Sequence, residues 1–140
     1  MTKEDLIKEF DKLQEKFGSA TCNSVYGGGK DNNPVLCLVF MNPTAKNIAT
    51  RKDWKGIRSQ WLGTKQVWKF LTDVGLFDKD LNNQIQNMKP KDWSPEFCKK
   101  VYTEVAKQGL YITNLAKCTQ DDARPLPDKV FKEYRDLLLE

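Results

Sequence analysis

Residues 35 to 44, VLCLVFMNPT, join the most apolar run of the chain directly to an Asn-Pro pair. The run from 35 to 40 has the length of a strand, and its unbroken apolar character predicts a strand covered on both faces of a sheet. An ordinary strand exit needs only a turn. Asn42, Pro43 and Thr44 therefore raise the question of whether fixed polar groups are needed where this strand ends.

A second strand is predicted over residues 110 to 118, LYITNLAKC, which are apolar and rich in β-branched side chains. Capping residues and apolar spacing predict helices over 2 to 17, from Thr64 to Gly75, from Ser94 to Gly109, and from Pro127 onward. The segment YGGGKDNNP, residues 26 to 34, is expected to be a loop. Strands that alternate with helices predict a mostly parallel sheet with right-handed crossovers, and ligands at the carboxyl ends of its strands.

Length and composition indicate a single domain over residues 1 to 140. Mean hydropathy is -0.65, and no apolar run approaches the roughly 20 residues of a membrane helix. The charged N-terminus develops no signal-peptide core, so we expect a cytoplasmic monomer. The chain has no histidine, which excludes histidine-based triads and most zinc hydrolases. Its four cysteines form no C-x-x-C pair, so free thiols and no metal site are expected.

Both predicted strands end in an asparagine, Asn42 after the first and Asn114 at the end of the second. The carboxyl ends of parallel strands share one edge of a sheet, so these two amides should meet there. An amide offers one acceptor and two donors, which suits it to bind a nucleobase edge or to hold a water molecule, but not to strong acid-base chemistry. Taken singly, each asparagine is also explained as a turn or strand-end residue.

The chain resembles the uracil-DNA glycosylase superfamily in four motifs that occur in the family's order. VFMNPT is similar to the G-M-N-P-G motif of the single-strand-selective and mismatch-specific branches, and GTKQVWKFLTDVGLF to the helix that follows it. YGGGKDNNPVLCLVFMNP and YITNLAKCTQDDARPLPDKVF resemble the thermophilic iron-sulfur branch. The resemblance spans about residues 25 to 140. It implies a three-layer α/β/α sandwich and hydrolysis of the N-glycosidic bond of uracil in DNA, by base flipping and without a cofactor.

The resemblance also implies roles for individual residues. Asn42 would position the attacking water, and Asn114 would pair with the uracil edge. Backbone amides around Met41 and Asn42 would bind the base carbonyl. Trp61, or Trp54 as its competitor, would stack on the flipped base, although either tryptophan is equally explained by core packing.

Basic residues surround the expected mouth of this site, interleaved with Trp54 and Trp61. They are candidates for phosphate contacts with DNA, although such a run is also typical of a solvated face: Lys46, Arg51, Lys52, Lys55, Arg58, Lys65 and Lys69.

The sequence departs from the family at several places. Phe40 and Thr44 stand where the family has glycines, and Met41 stands where the iron-sulfur branch has a glutamate. Only Cys118 matches one of the four cluster cysteines, so we expect no cluster. The late H-P-S or N-P-S loop has no counterpart, so the domain is expected to be incomplete at its C-terminal end. A catalytically silent DNA- or base-binding module, and an unrelated small α/β domain, are therefore alternative interpretations.

Overall fold

The computed structural model describes residues 1 to 122 and 126 to 139. The described residues do not include Ala123, Arg124 and Pro125, which belong to the motif YITNLAKCTQDDARPLPDKVF. They also do not include Glu140, at the end where the sequence predicts an incomplete domain. The described residues form a mixed α/β structure with five α-helices and a three-stranded sheet: α1 (Lys3–Phe17), β1 (Gly28–Gly29), β2 (Leu36–Phe40), α2 (Gln66–Asp73), α3 (Lys79–Asn87), α4 (Pro95–Lys107), β3 (Leu110–Asn114) and α5 (Asp128–Leu138). No helix among them is long and apolar enough to span a membrane.

The sheet has the order β1-β3-β2, with β3 in the centre. β2 and β3 run parallel, and their register pairs Leu36 with Leu110 and Phe40 with Asn114. The predicted parallel pairing of the two long strands is therefore confirmed. β1 pairs antiparallel with β3, so the glycine-rich segment is not a pure loop as expected. A Cβ on Gly28 would lie 2.4 Å from Ser59 Oγ, which explains how a strand of glycines fits at this place.

The prediction that β2 is covered on both faces is wrong. Leu38 and Phe40 pack against the larger core, but Val35 and Val39 are 85% and 54% exposed. β2 is an edge strand, and the only strand it pairs with among the described residues is β3. The apolar run therefore reflects one buried face and one uncovered face.

Helix boundaries follow local capping chemistry. Thr2 and Asp5 form the predicted capping box of α1, and Ser94 Oγ accepts a hydrogen bond from Phe97 N at the start of α4. Thr64 does not cap α2, which begins at Gln66 without a side-chain cap. The sequence interpretation missed α3, whose N-cap Asp78 accepts from Leu81 N at 2.9 Å.

Two groups of buried side chains hold the fold together. The larger packs α2, α3 and α4 against β2 and β3 around the fully buried Trp68. The smaller joins α1, α5 and the segment after β3 around Phe10 and Tyr134. The residues that follow β2 and β3 are thereby fixed next to each other: Leu115 N donates to Phe40 O at 2.6 Å, and Ala116 N donates to Met41 O at 3.0 Å.

Candidate functional site

A cavity of about 250 Å³ lies at the carboxyl ends of β2 and β3. Pockets for drug-sized ligands are usually larger, so this one suits a single ring. Its lining comes from the end of each strand and from the irregular segment before α2: Asn42, Pro43, Thr44, Lys46, Asn47, Gln60, Trp61, Thr64 and Asn114. Asn42, Asn114 and Trp61, which were predicted as site residues, therefore share one cavity.

Asn114 is the last residue of β3 and is only 2% exposed. Its backbone carbonyl accepts a hydrogen bond from Lys117 Nζ, which anchors the residue from behind. Its side-chain amide hydrogen-bonds none of the described residues and lines the cavity. The amide faces the cavity with an unused donor and acceptor, so it is available to a ligand that has the complementary pair.

Asn42 is half-buried in the turn after β2. Its Nδ2 donates to Pro43 O at 3.2 Å, which leaves Oδ1 as an acceptor that no described residue uses. Gln120 N donates to the same carbonyl at 3.1 Å, and Ala45 N donates to Gln120 O at 2.9 Å. The turn is therefore held from both sides, and Asn42 Oδ1 is left as an acceptor that a water molecule could use.

Trp61 supplies the aromatic wall of the cavity. Its ring packs edge-on against Phe40, with centroids 4.6 Å apart, and its backbone has φ +62°. That conformation is strained for a bulky residue. It is maintained because Thr64 N and Trp68 Nε1 both donate to the Trp61 carbonyl, at 2.9 and 3.1 Å. Such strain is most common at functional sites.

Trp54, the competitor for this role, does not line the cavity. Its Nε1 donates to Ile57 O at 2.9 Å, and its ring packs partly buried against the larger core. Met41 is also outside the lining, 59% exposed, with its carbonyl bound to Ala116 N. Of the two tryptophans, the structure brings only Trp61 to Asn42 and Asn114.

Sequence reasoning missed Gln60, which is 2% exposed and lines the same cavity. Its carbonyl accepts from Tyr102 Oη at 2.7 Å, and its Nε2 is buried without a partner among the described residues. Asn47 also lines the cavity, but Ser59 O and Ala49 N satisfy its amide. The only signal for Gln60 in the sequence is its position next to Trp61, because the segment has no periodicity.

The predicted phosphate-binding residues fall into two groups. Four of them have partners. Arg51 forms an ion pair with Asp53 at 3.0 Å, and Arg58 forms one with Asp11 at 3.4 Å. Lys65 Nζ donates to Gln86 O at 2.7 Å, and Lys69 forms an ion pair with Asp73 at 2.8 Å. Lys46, Lys52 and Lys55 are exposed and form no ion pair within the described ranges. Lys46 lines the cavity mouth. These three lysines are the cations that remain available to a polyanion.

The cavity is lined by neutral groups apart from Lys46, with no carboxylate or thiol side chain in the lining. No cluster of three metal-ligating side chains occurs among the residues the structure describes. Such a site can recognise a polar ring by hydrogen bonds and hold a water molecule, but it holds no strong general base.

No family model matches the chain, and no curated protein or solved structure matches it.

Proposed function

We propose that this cavity binds uracil extruded from DNA and that the chain hydrolyses its N-glycosidic bond. The observation that carries the proposal is the meeting of Asn42, Asn114 and Trp61 around one small cavity, although the two asparagines lie far apart in sequence. On this proposal the sheet and its helices are a variant of the three-layer α/β/α sandwich of the uracil-DNA glycosylases.

The unpaired amide of Asn114 would read the base. It can donate to uracil O4 while it accepts from uracil N3-H. If the bound DNA holds the amide in this orientation, cytosine is mismatched to it, because cytosine has an acceptor at N3 and donors at position 4. Trp61 lines the same cavity and would stack on the base. A glycosylase must extrude its target base, and a cavity of this size accommodates one ring.

Asn42 would hold the attacking water through its available Oδ1. The water oxygen forms a bond to C1′ of the deoxyribose while the C1′–N1 bond breaks, and the electron pair leaves with the base. The proton of the water passes to bulk solvent, because the lining offers no base to take it. The contribution of the protein is therefore to position the water and the base.

A catalytically silent module that binds uracil in DNA is the second candidate. Two observations favour it. The lining has no charged group apart from Lys46, and the Asn42 amide, which is assigned to the water, already donates from Nδ2 to Pro43 O. This module would retain the role of Asn114 and dispense with that of Asn42.

The experiment is release of free uracil from a labelled oligonucleotide, measured together with binding of the same DNA. We expect Asn42→Ala to lower release by about 100-fold or more while binding changes little, because the water loses its partner. We expect Asn114→Ala to weaken binding by about 10-fold or more, because a two-bond contact with the base edge is lost.

Asn83→Ala is the matched control, because Asn83 is an exposed asparagine on α3 away from the cavity. Binding that depends on Asn114, without release of base, would support the silent module instead. If neither asparagine affects binding or release in a folded protein, both are turn residues and the proposal fails.

A further inference from the structure

The outer edge of β2 has free backbone hydrogen-bonding groups. Phe40 O accepts from Leu115 N, and Leu36 N donates to Gly109 O, so Leu36, Leu38 and Phe40 direct their backbone groups toward β3. Backbone groups alternate in direction along a strand, so those of Cys37 and Val39 point to the opposite side. Among the described residues, no strand pairs with that side.

The same two residues carry an apolar stripe. Leu38 and Phe40 face the larger core, and side chains alternate, so Cys37 and Val39 lie on the other face of the strand, in line with Val35 and Met41. All four are exposed. Contiguous apolar side chains on an open strand edge are typical of an interaction surface.

The sequence along this edge has no charge that would oppose pairing. Residues 32 to 45 include no charged side chain, and β2 itself includes no proline, so two of the features that commonly protect edge strands are missing from it. Pro34 and Pro43 flank the strand and limit the length of any added ladder, since proline has no N–H to donate.

We propose that β2 pairs antiparallel with β2 of a second copy of this chain, about a two-fold axis that passes between the two Leu38 residues. In this register Cys37 lies opposite Val39 of the second copy, and Val39 lies opposite its Cys37. Each pair exchanges two hydrogen bonds, so all the outward-facing groups of these residues are used. Val35 and Met41 extend the apolar stripe across the interface, and no like charges lie opposite each other on the paired strands.

A second copy fits this edge because the outward-facing donors and acceptors of Cys37 and Val39 match those of the same edge turned about a two-fold axis, and no charged side chain on residues 32 to 45 opposes it. Only a register centred on Leu38 satisfies both Cys37 and Val39 in both copies. The two cavities would lie at opposite ends of the joined sheet. Asn42 is four residues from the axis, so the two Asn42 residues would be separated by about 26 Å along the strands. Pairing is therefore independent of the proposed function, and either can fail without the other.

Sedimentation equilibrium over a dilution series tests the pairing. We expect the mass to approach twice the chain mass of 16.2 kDa at high concentration. Val39→Lys should keep the fold and remove the dimer, because it places an exposed charge at the edge. Val74→Lys is the matched control, since Val74 is a similarly exposed valine, 51% against 54%, on the segment that ends α2.

A thiol cross-link tests the register. Opposite residues of a hydrogen-bonded pair have Cα atoms about 5.5 Å apart, within the range of a disulfide. With oxidised glutathione as the oxidant, Val39→Cys should therefore form a covalent dimer through Cys37 of the other copy. The other three cysteines are buried. The double variant Cys37→Ser/Val39→Cys should not cross-link, and neither should the unaltered chain.

A monomer at every concentration overturns the proposal, as does a dimer that persists in Val39→Lys. A cross-link in the unaltered chain or in the double variant overturns the register. A dimer that cross-links only in Val39→Cys supports the proposal, and it replaces the monomer expected from the sequence.

Discussion

Lys117 is a buried ammonium group that forms no ion pair with a carboxylate among the described residues. It is 2% exposed, and its Nζ donates to Thr113 Oγ1 at 2.7 Å and to the backbone carbonyl of Asn114, above the ring of Phe10. Burial lowers the pKa of its amine from 10.5 to about 8. Lys117, which hydrogen-bonds the backbone carbonyl of Asn114, therefore lowers the free energy of unfolding at neutral pH.

Lys117→Met should change how stability depends on pH. Above pH 10.5 the amine is neutral in both states, and below about pH 8 it is charged in both, so its cost appears as pH falls through this window. We expect the unaltered chain to gain about 3 kcal/mol relative to the variant between pH 8 and 10.5. Urea unfolding of both proteins across this range measures the difference, in which the ionisation of tyrosines and cysteines cancels. Parallel stability curves would show that the amine is not desolvated.

The sequence predicted the meeting of the two asparagines correctly because the strand order of the sheet determines where they lie. Asn42 lies just after β2 and Asn114 is the last residue of the parallel strand β3, so a correct pairing of the two segments was sufficient to bring them together. Gln60 lies in a segment without periodic pattern, and Lys117 follows an apolar strand, where neither its burial nor its partners could be inferred. Both depend on tertiary packing of loops, which leaves no local signal.

At the level of elements, β1 shows why a glycine-rich segment can be a strand. Gly29 has φ +109°, and a Cβ there would lie 2.3 Å from Leu110 O. Only glycine allows this close antiparallel approach to β3. Strand propensity argues against glycine, so the sequence interpretation assigned a loop. The apolar run of β2 misled in another way, because a continuous apolar pattern does not distinguish a buried strand from an edge with one uncovered face.

Gly29→Ala should destabilise the fold by about 3 kcal/mol, because strain at positive φ adds to a clash with the backbone of β3. Gly75→Ala is the matched control. Gly75 also has positive φ, +80°, but a Cβ there would meet nothing within 4 Å. Its cost should be about 1 kcal/mol, from backbone strain alone. Thermal or urea unfolding of the two variants compares them, and equal losses would mean that the contact with Leu110 relaxes freely.

For the molecule as a whole, the distribution of charge matters more than the net charge of +4. Arg51, Arg58, Lys65 and Lys69 have partners, so the basic run seen in the sequence is only partly available. The sequence gives the number of cations but not their partners, since Asp11 and Gln86 are distant along the chain. Lys46, Lys52 and Lys55 remain, and only Lys46 is at the cavity itself.

If the chain binds DNA as proposed, the salt dependence of that binding should reflect about three phosphate contacts. Each contact contributes about 0.7 to 0.9 to the slope of log K against log salt, so we expect a slope of about -2 to -3. Changing Lys46, Lys52 and Lys55 together to Gln should bring this slope near zero.

The control changes three lysines on α4, Lys99, Lys100 and Lys107, which carry the same charge. They lie among four carboxylates, those of Asp78, Asp80, Glu96 and Glu104. Their change to Gln should leave most of the slope, because those carboxylates disfavour phosphate. Equal loss in both variants would indicate that net charge, rather than these three lysines, controls binding.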